Sequence, residues 1–172
     1  RDPAGESGWS WSMLRRINYY LENSGNCRDE AVRKRYDGVA YFFRAYFYFV
    51  KVRRYGDVPW YDQVLSSTDE ELLFKERDDR ELVMDSVMSD LDKAIALLPT
   101  AKNIATVTKW TALALKTRVA LYEGTFRKYH GLPNADKYLQ HAAAAGEEFI
   151  ANSGYALYTS GSEPYRNLFN SD

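Results

Sequence analysis

The stretch "AYFFRAYFYFV", Ala40–Val50, places seven aromatic residues in eleven positions and runs directly into "KVRRYGDVPW". A density of this kind leaves three outcomes: a membrane segment, a packed core, or a surface that grips a partner. Arg44 interrupts the run and Lys51, Arg53 and Arg54 close it, leaving about half of the roughly 20 apolar residues that a spanning helix needs. The rings therefore pack inside protein or are presented to a partner. Aromatic residues make up 15% of the chain, with 14 Tyr and 4 Trp, and both types join an apolar face to a polar handle.

Periodicity turns the run into a helix starting near Asp29. Val32, Tyr36, Val39, Phe43, Tyr46 and Val50 recur at alternating steps of four and three, which predicts one apolar face for the core. On that reading Phe43→Ala opens a core cavity. Asp37, Tyr41, Arg44, Tyr48, Lys51 and Tyr55 form a second stripe, expected to be an edge between packed helices whose hydroxyls reach polar neighbours. Gly56 supplies a positive-φ residue after the last turn, and Pro59 cannot continue the helix.

Four more helical segments follow from the same pattern, and no period-2 strand competes with them. The first spans Trp11–Leu21 and stops at "ENSGN". One after "DDRE" has Asp78 as its expected cap paired with Glu81, and buries Met84, Val87, Met88, Leu91, Ile95 and Leu98. The next begins near Thr106 or Thr108, carries Trp110, Ala114, Thr117 and Leu121 on one face, and is expected to end around Gly124 or shortly after. The last is capped by Asn134, buries Tyr138, Ala142, Ala145 and Phe149, and stops at Gly154. The final "PYRNLFNSD" is read as lacking a helix of its own. The fold class expected is all-α, a tetratricopeptide-like array of about five principal helices, since the helices start at roughly 30-residue intervals and small alanines recur at crossings.

A chain of 172 residues that is 45% hydrophobic can bury one sizeable core, so residues 1–172 are expected to form a single helical domain. With 23 basic and 24 acidic residues, no cationic field invites nucleic acid or anionic lipid. Cys27 is alone, and with His130 and His141 it makes no spaced metal-ligand cluster, so no metal or cofactor is expected. Asp78 with Asp79, and Glu147 with Glu148, are adjacent in sequence and point in different directions on a helix rather than across a substrate. No nucleophile elbow, P-loop or H-E-x-x-H occurs, and the chain is not expected to be an enzyme. The opening "RDPAGESGWSW" has no initiator Met, signal peptide or lipidation cysteine, and the sequence is read as an excerpt of a longer protein.

The succession "FFRAYFYFVKVRRYGDVP", "DLDKAIALLP", "KWTALALKTRVALYEGTF" and "AAAAGEEFIANSGYALY" resembles, in order, the helical framework of the SusD/RagB-like surface glycan-binding proteins. The resemblance implies a lipoprotein on the outer face of an outer membrane, anchored through a lipidated cysteine upstream of Arg1. It also implies non-catalytic capture of oligosaccharides for a SusC-like TonB-dependent transporter. The family's glycan contacts are not a fixed motif, so no site residue is transferred from it.

The residues themselves suggest the site. Gly56, Asp57 and Pro59 form a structural turn, with Asp57 bonding local amides or Arg54, and Trp60 and Tyr61 follow that rigid bend with apolar faces available to a sugar ring. Trp9 and Trp11 flank serines ahead of the first helix, where indoles can remain exposed. Trp60, Trp9, Trp11 and then Tyr61 are the candidate ligand-binding residues, for a neutral or mildly polar oligosaccharide, whereas Trp110 belongs to a helical core line. The competing reading from another class is a helical-repeat scaffold that binds a peptide or protein partner and no sugar.

Overall fold

The computed structural model describes residues 8–170; residues 1–7, with most of "RDPAGESGWSW", and the last two positions of "PYRNLFNSD" lie outside the described residues. Among the described residues seven α-helices follow one another: α1 Ser12–Asn23, α2 Glu30–Tyr55, α3 Glu70–Leu73, α4 Arg80–Leu97, α5 Lys109–Tyr129, α6 Ala135–Asn152 and α7 Pro164–Asn170, with a 3-10 turn at Ser24–Asn26. Among the described residues the extended pairing consists of an isolated bridge between Val58 and Asp78. The fold is all-α, and its five long helices are those read from the periodicity.

The helices stack in tetratricopeptide-like pairs. α2 packs along α4, α5 along α6, α4 joins the two pairs through α5, and α1 lies on α2. One core cluster runs through them, built from residues such as Leu14, Phe42, Tyr48, Phe49, Met84, Leu91, Val119 and Tyr138. α2 starts where the Asp29 carboxylate accepts from the amides of Ala31 and Val32, and ends at Gly56, whose φ of 72° is left-handed.

The inward face of α2 is not the one the apolar spacing selects. Val32, Tyr36, Tyr46 and Val50 are exposed, and Val39 and Phe43 are half-buried. Gly38, Phe42, Ala45, Phe49 and Val52 turn inward at the same alternating spacing, and Arg44, Tyr48 and Lys51 are buried beside them. Gly38 allows the close approach, because a Cβ there would lie 3.0 Å from side-chain atoms of Leu97 and Leu98. The pattern misleads because polar residues usually mark the outside of a helix. Here they are inside, paired with groups from α1, α4 and the segment after α2. A large cavity cost therefore belongs to Phe49 and not to Phe43.

Other boundaries shift for local reasons. Asp79, not Asp78, caps α4 by accepting from the amide of Glu81, while Asp78 is engaged by the segment after α2. Asn134 precedes α6 in a left-handed conformation and makes no side-chain cap; its amide donates to Glu81 instead, at 2.6 Å. Thr108 caps α5 reciprocally with Thr111, and Trp110 is buried with its Nε1 donating to the Thr100 carbonyl. Ala114 and Leu121 face outward, however, and the buried line runs through Leu113, Ala120, Glu123 and Arg127. The segment at "PYRNLFN" does form a short helix, with Tyr165, Leu168 and Phe169 exposed.

Gly124 does not end α5, which continues to Tyr129. It is the point at which α6 comes closest: an added Cβ would sit 2.8 Å from Leu139 Cδ2 and 3.0 Å from the Leu139 backbone nitrogen. Salt bridges span the same layer. Arg80 holds Glu123 in a bidentate pair, Arg127 joins Glu123 and Glu81, and Asp85 accepts from Lys137 and Tyr138.

Gly124→Ala is expected to lower unfolding stability by about 1–3 kcal/mol, because backbone must move to admit the methyl group. Gly146→Ala is expected to raise it by about 0.5–1 kcal/mol, since that helical glycine would meet Thr117 Cγ2 at an ordinary 3.6 Å. Urea unfolding of the two variants checks the pair; a Gly124→Ala variant at least as stable as wild type would mean that the close α5–α6 contact is not at Gly124.

Candidate functional site

The segment from Gly56 to Asp69 joins α2 to α3 without regular structure, so its backbone groups need partners from elsewhere. Side chains on the flanking helices provide them. Asn18, buried on α1, donates from Nδ2 to the carbonyls of Tyr61 and Gln63, both at 3.0 Å. Tyr48 on α2 accepts from the Tyr61 amide at 2.6 Å and donates to the Pro59 carbonyl at 3.3 Å. Asp78 accepts from the Trp60 amide and from Lys75, Lys75 donates to the Trp60 carbonyl, and Arg15 donates to the Leu65 carbonyl. Asp57 accepts from the amide of Arg80, tying the turn to the start of α4.

Behind this wall sits a buried charge pair. Arg44 forks onto Asp90 with Nε–Oδ2 at 2.6 Å and Nη2–Oδ1 at 2.9 Å, and its Nη1 donates to Asn18 Oδ1 at 3.2 Å. The Arg44 side chain is 6% exposed and that of Asp90 is 1%. Burial works against the guanidinium charge, but the Asp90 carboxylate outweighs it and holds the Arg44 pKa above the usual arginine value. Burial likewise pushes the Tyr48 phenol well above its ordinary range, so it stays a neutral hydrogen-bonding group.

The wall and α1 enclose a cleft of about 550 Å³. Trp9, Trp11, Leu14 and Tyr61 give it apolar surface, Asn18 and Gln63 give it amide groups, and Arg15, Lys75 and Arg77 give it positive charge. The rings meet edge to face, Trp11 being 5.1 Å from Trp9 and 5.8 Å from Tyr61 between centroids. Tyr61 is fixed at its far end, where its hydroxyl donates to the Leu72 carbonyl at 2.9 Å. Beside the cleft, buried Lys51 donates to the Gly8 carbonyl, and its ammonium lies 5.0–5.7 Å from the ring centroids of Trp9, Trp11, Phe47 and Tyr55. Burial first, and then the neighbouring Arg54 charge, pull the Lys51 pKa below the ordinary lysine value.

Three of the four aromatic candidates thus converge, namely Trp9, Trp11 and Tyr61. Trp60 lies outside the lining; its ring stacks obliquely on Tyr48 at 4.2 Å and sits over Arg44. Asn18, Arg15, Lys75 and Arg77 were not singled out by sequence reasoning, because isolated charges and amides on helices and loops read as solvated face. A second, apolar groove of about 280 Å³ lies between α1 and α2, lined by Met13, Ile17, Tyr20, Tyr36, Val39 and Phe43. His130 stacks on Phe126 at 4.1 Å with Nδ1 against the Phe126 carbonyl. Among the described residues there is no group of His, Cys, Asp and Glu suited to a metal ion, and no helix is long and apolar enough to cross a membrane.

Comparison with known proteins gives a consistent result. Residues 10–121 match the SusD-like family, described as starch-binding and associating with the outer membrane. The chain is 30% identical over 121 residues to SusD-like protein P2 of Formosa agariphila, an alignment covering 69% of this chain and 24% of that protein. A SusD-like protein of Bacteroides fragilis superposes with a TM-score of 0.73 at 29% identity, over 90% of this chain and 28% of the other. A laminarin-binding SusD-like protein gives 0.76 at 25% identity, over 98% and 36%. The chain therefore spans about a quarter to a third of the length of these relatives.

Asp90→Ala leaves the Arg44 guanidinium buried without its counter-ion and is expected to cost about 3–5 kcal/mol in urea unfolding, with a loss near zero marking the pair as dispensable. Lys51 carries a pH signature. Its depressed pKa means that the unfolded chain holds this proton to higher pH than the folded chain does, so stability rises with pH between the two values. Wild type is accordingly expected to gain on Lys51→Met as pH climbs toward the ordinary lysine value of 10.5, and parallel pH profiles for the two proteins would contradict this.

Proposed function

This chain belongs to the SusD-like family, and from that premise we propose that it serves non-catalytic capture of oligosaccharides at the cell surface. The observation that carries the reading is the cleft: converging aromatic rings beside the exposed Gln63, about 550 Å³ in volume. An apolar ring surface accepts the C–H face of a pyranose, while the exposed Gln63 side chain, on backbone that Asn18 holds in place, replaces water at its hydroxyls. The structural similarity to a laminarin-binding relative supports the same ligand class. Within this reading Trp9, Trp11 and Tyr61 are the contact residues, Gly56, Asp57 and Pro59 shape the wall, and Trp60 buttresses it from behind.

In the same proposal residues 1–172 are the helical portion of a longer SusD/RagB-like protein. A lipid anchor upstream places that protein on the outer membrane, where it hands its ligand to a SusC-like TonB-dependent transporter. The outward stripe of α2, with Tyr36, Tyr46 and Val50 exposed above the α1–α2 groove, supports a protein partner on this side. That stripe also favours the second reading, a scaffold that binds proteins and no sugar. Pull-down from detergent-solubilised outer membrane separates them, since recovery of cytosolic proteins without a transporter would favour the scaffold.

Calorimetry of the full-length protein against a panel of plant and host oligosaccharides is expected to show saturable binding with the sugar recovered intact. Trp11→Ala should weaken that binding about tenfold, the loss of about 1.4 kcal/mol typical of one important aromatic contact. Trp60→Ala should instead lower unfolding stability. Sugar cleavage, or affinity unchanged in Trp11→Ala, contradicts the proposal.

A further inference from the structure

The cleft differs in one respect from a site for neutral sugar. Among the described residues its lining includes three cationic side chains, Arg15, Lys75 and Arg77, and no carboxylate. Lys75 is already paired with Asp78 at 2.6 Å. The other two have different partners: Arg15 donates to a carbonyl, that of Leu65, and the Arg77 guanidinium lies 5.1 Å from the Trp9 ring centroid. Lys51 also lies against the indoles, 5.7 Å from the Trp9 centroid and 5.2 Å from that of Trp11, and its hydrogen bond also goes to a carbonyl.

A carboxylate partner holds a cation and cancels its charge, whereas an aromatic ring or a carbonyl holds it and leaves the net charge in place. Trp9 thus has two cations over it, Arg77 and Lys51, and Tyr61 has Lys75 at 4.9 Å. These rings act as pedestals for positive charge. The field of Arg15, Arg77 and Lys51 converges on a concave, partly water-excluding site, where charge acts more strongly than on an open surface. A neutral ligand would make no use of it.

Resting on the oligosaccharide reading above, we propose that the cleft selects saccharides bearing a carboxylate or sulfate group, with Arg77 and Arg15 reaching the anion and Lys51 adding long-range attraction. This replaces the neutral or mildly polar ligand that the aromatic content alone suggests. Guanidinium groups suit both anions, because their paired N–H donors match two oxygens of one acidic group.

The test is calorimetry of the full-length protein with three probes: an oligogalacturonate, the same oligomer after carboxyl reduction to the neutral sugar, and a sulfated galactan oligosaccharide. At least one acidic probe is expected to bind about tenfold or more tightly than the neutral oligomer, and to weaken as sodium chloride is raised and the charges are screened. Arg77→Gln and Arg15→Gln, both at exposed positions, are each expected to remove most of that preference, weakening the acidic probe by a larger factor than the neutral oligomer; Arg15→Gln also gives up the bond to the Leu65 carbonyl and is expected to lower both. Equal affinity for acidic and neutral oligomers overturns the charge selection and leaves the oligosaccharide reading intact. Binding of none of the three overturns the selection. If the plant and host panel also fails, the broader reading falls with it. Acidic preference that survives both arginine substitutions places the anion site elsewhere and overturns this assignment.

Discussion

Arg44 and Asp90 bring opposite charges together where almost no water reaches, with side chains 6% and 1% exposed. Such a pair is tolerated only when its geometry is good and its remaining donors are used. Both conditions hold. Two parallel bonds join the guanidinium to the carboxylate, and the third guanidinium direction is taken by Asn18. Asn18 then spends its own amide on the carbonyls of Tyr61 and Gln63. One chain of hydrogen bonds therefore runs from α4 through α2 and α1 into an irregular segment that could not otherwise hold its shape. An apolar substitute would fill the same volume and bury similar area, but it would leave Asn18 Oδ1 with no donor to hold that side chain in place.

The aromatic run has a divided role that follows from this pair. Phe42 and Phe49 fill the core, and Tyr48 is a neutral post whose hydroxyl binds the backbone on both sides of Trp60. Phe47 turns toward Trp11 and Lys51. The helix thus contributes core packing on one side and, on the other, support for the rings and backbone that line the cleft. Rigid placement matters for recognition, because a site mounted on helices loses little entropy when it closes on a ligand.

Much of this was legible in the sequence, and what was missed has a common cause. The five long helices, the stop at Gly56, the burial of Trp110 and the Tyr48 edge follow from spacing and local chemistry. The inward face of α2 did not, because periodicity assigns polar residues to the outside, and Arg44 and Lys51 are inside only by virtue of partners 26 to 46 residues away. Gly124 was mistaken for a stop because a glycine required by a neighbouring helix looks the same as one required by a turn. The aromatic candidates were found through composition, but their convergence depends on the path from Gly56 to Asp69, which has no period to read.

The same path explains how a helical frame can carry a recognition surface without committing the frame to one ligand. Five side chains from outside the irregular segment reach its backbone: Asn18, Tyr48, Asp78, Lys75 and Arg15 bind carbonyls or amides of Pro59, Trp60, Tyr61, Gln63 and Leu65. Backbone groups do not change with side-chain identity. A different residue at position 63 or 65 would keep these bonds and alter only what the cleft presents. Charge at the rim is separable in the same way, since Arg77 rests on the Trp9 ring and is not part of the anchoring set. The buried pair determines where the wall stands, and the side chains mounted on it determine what the wall can hold.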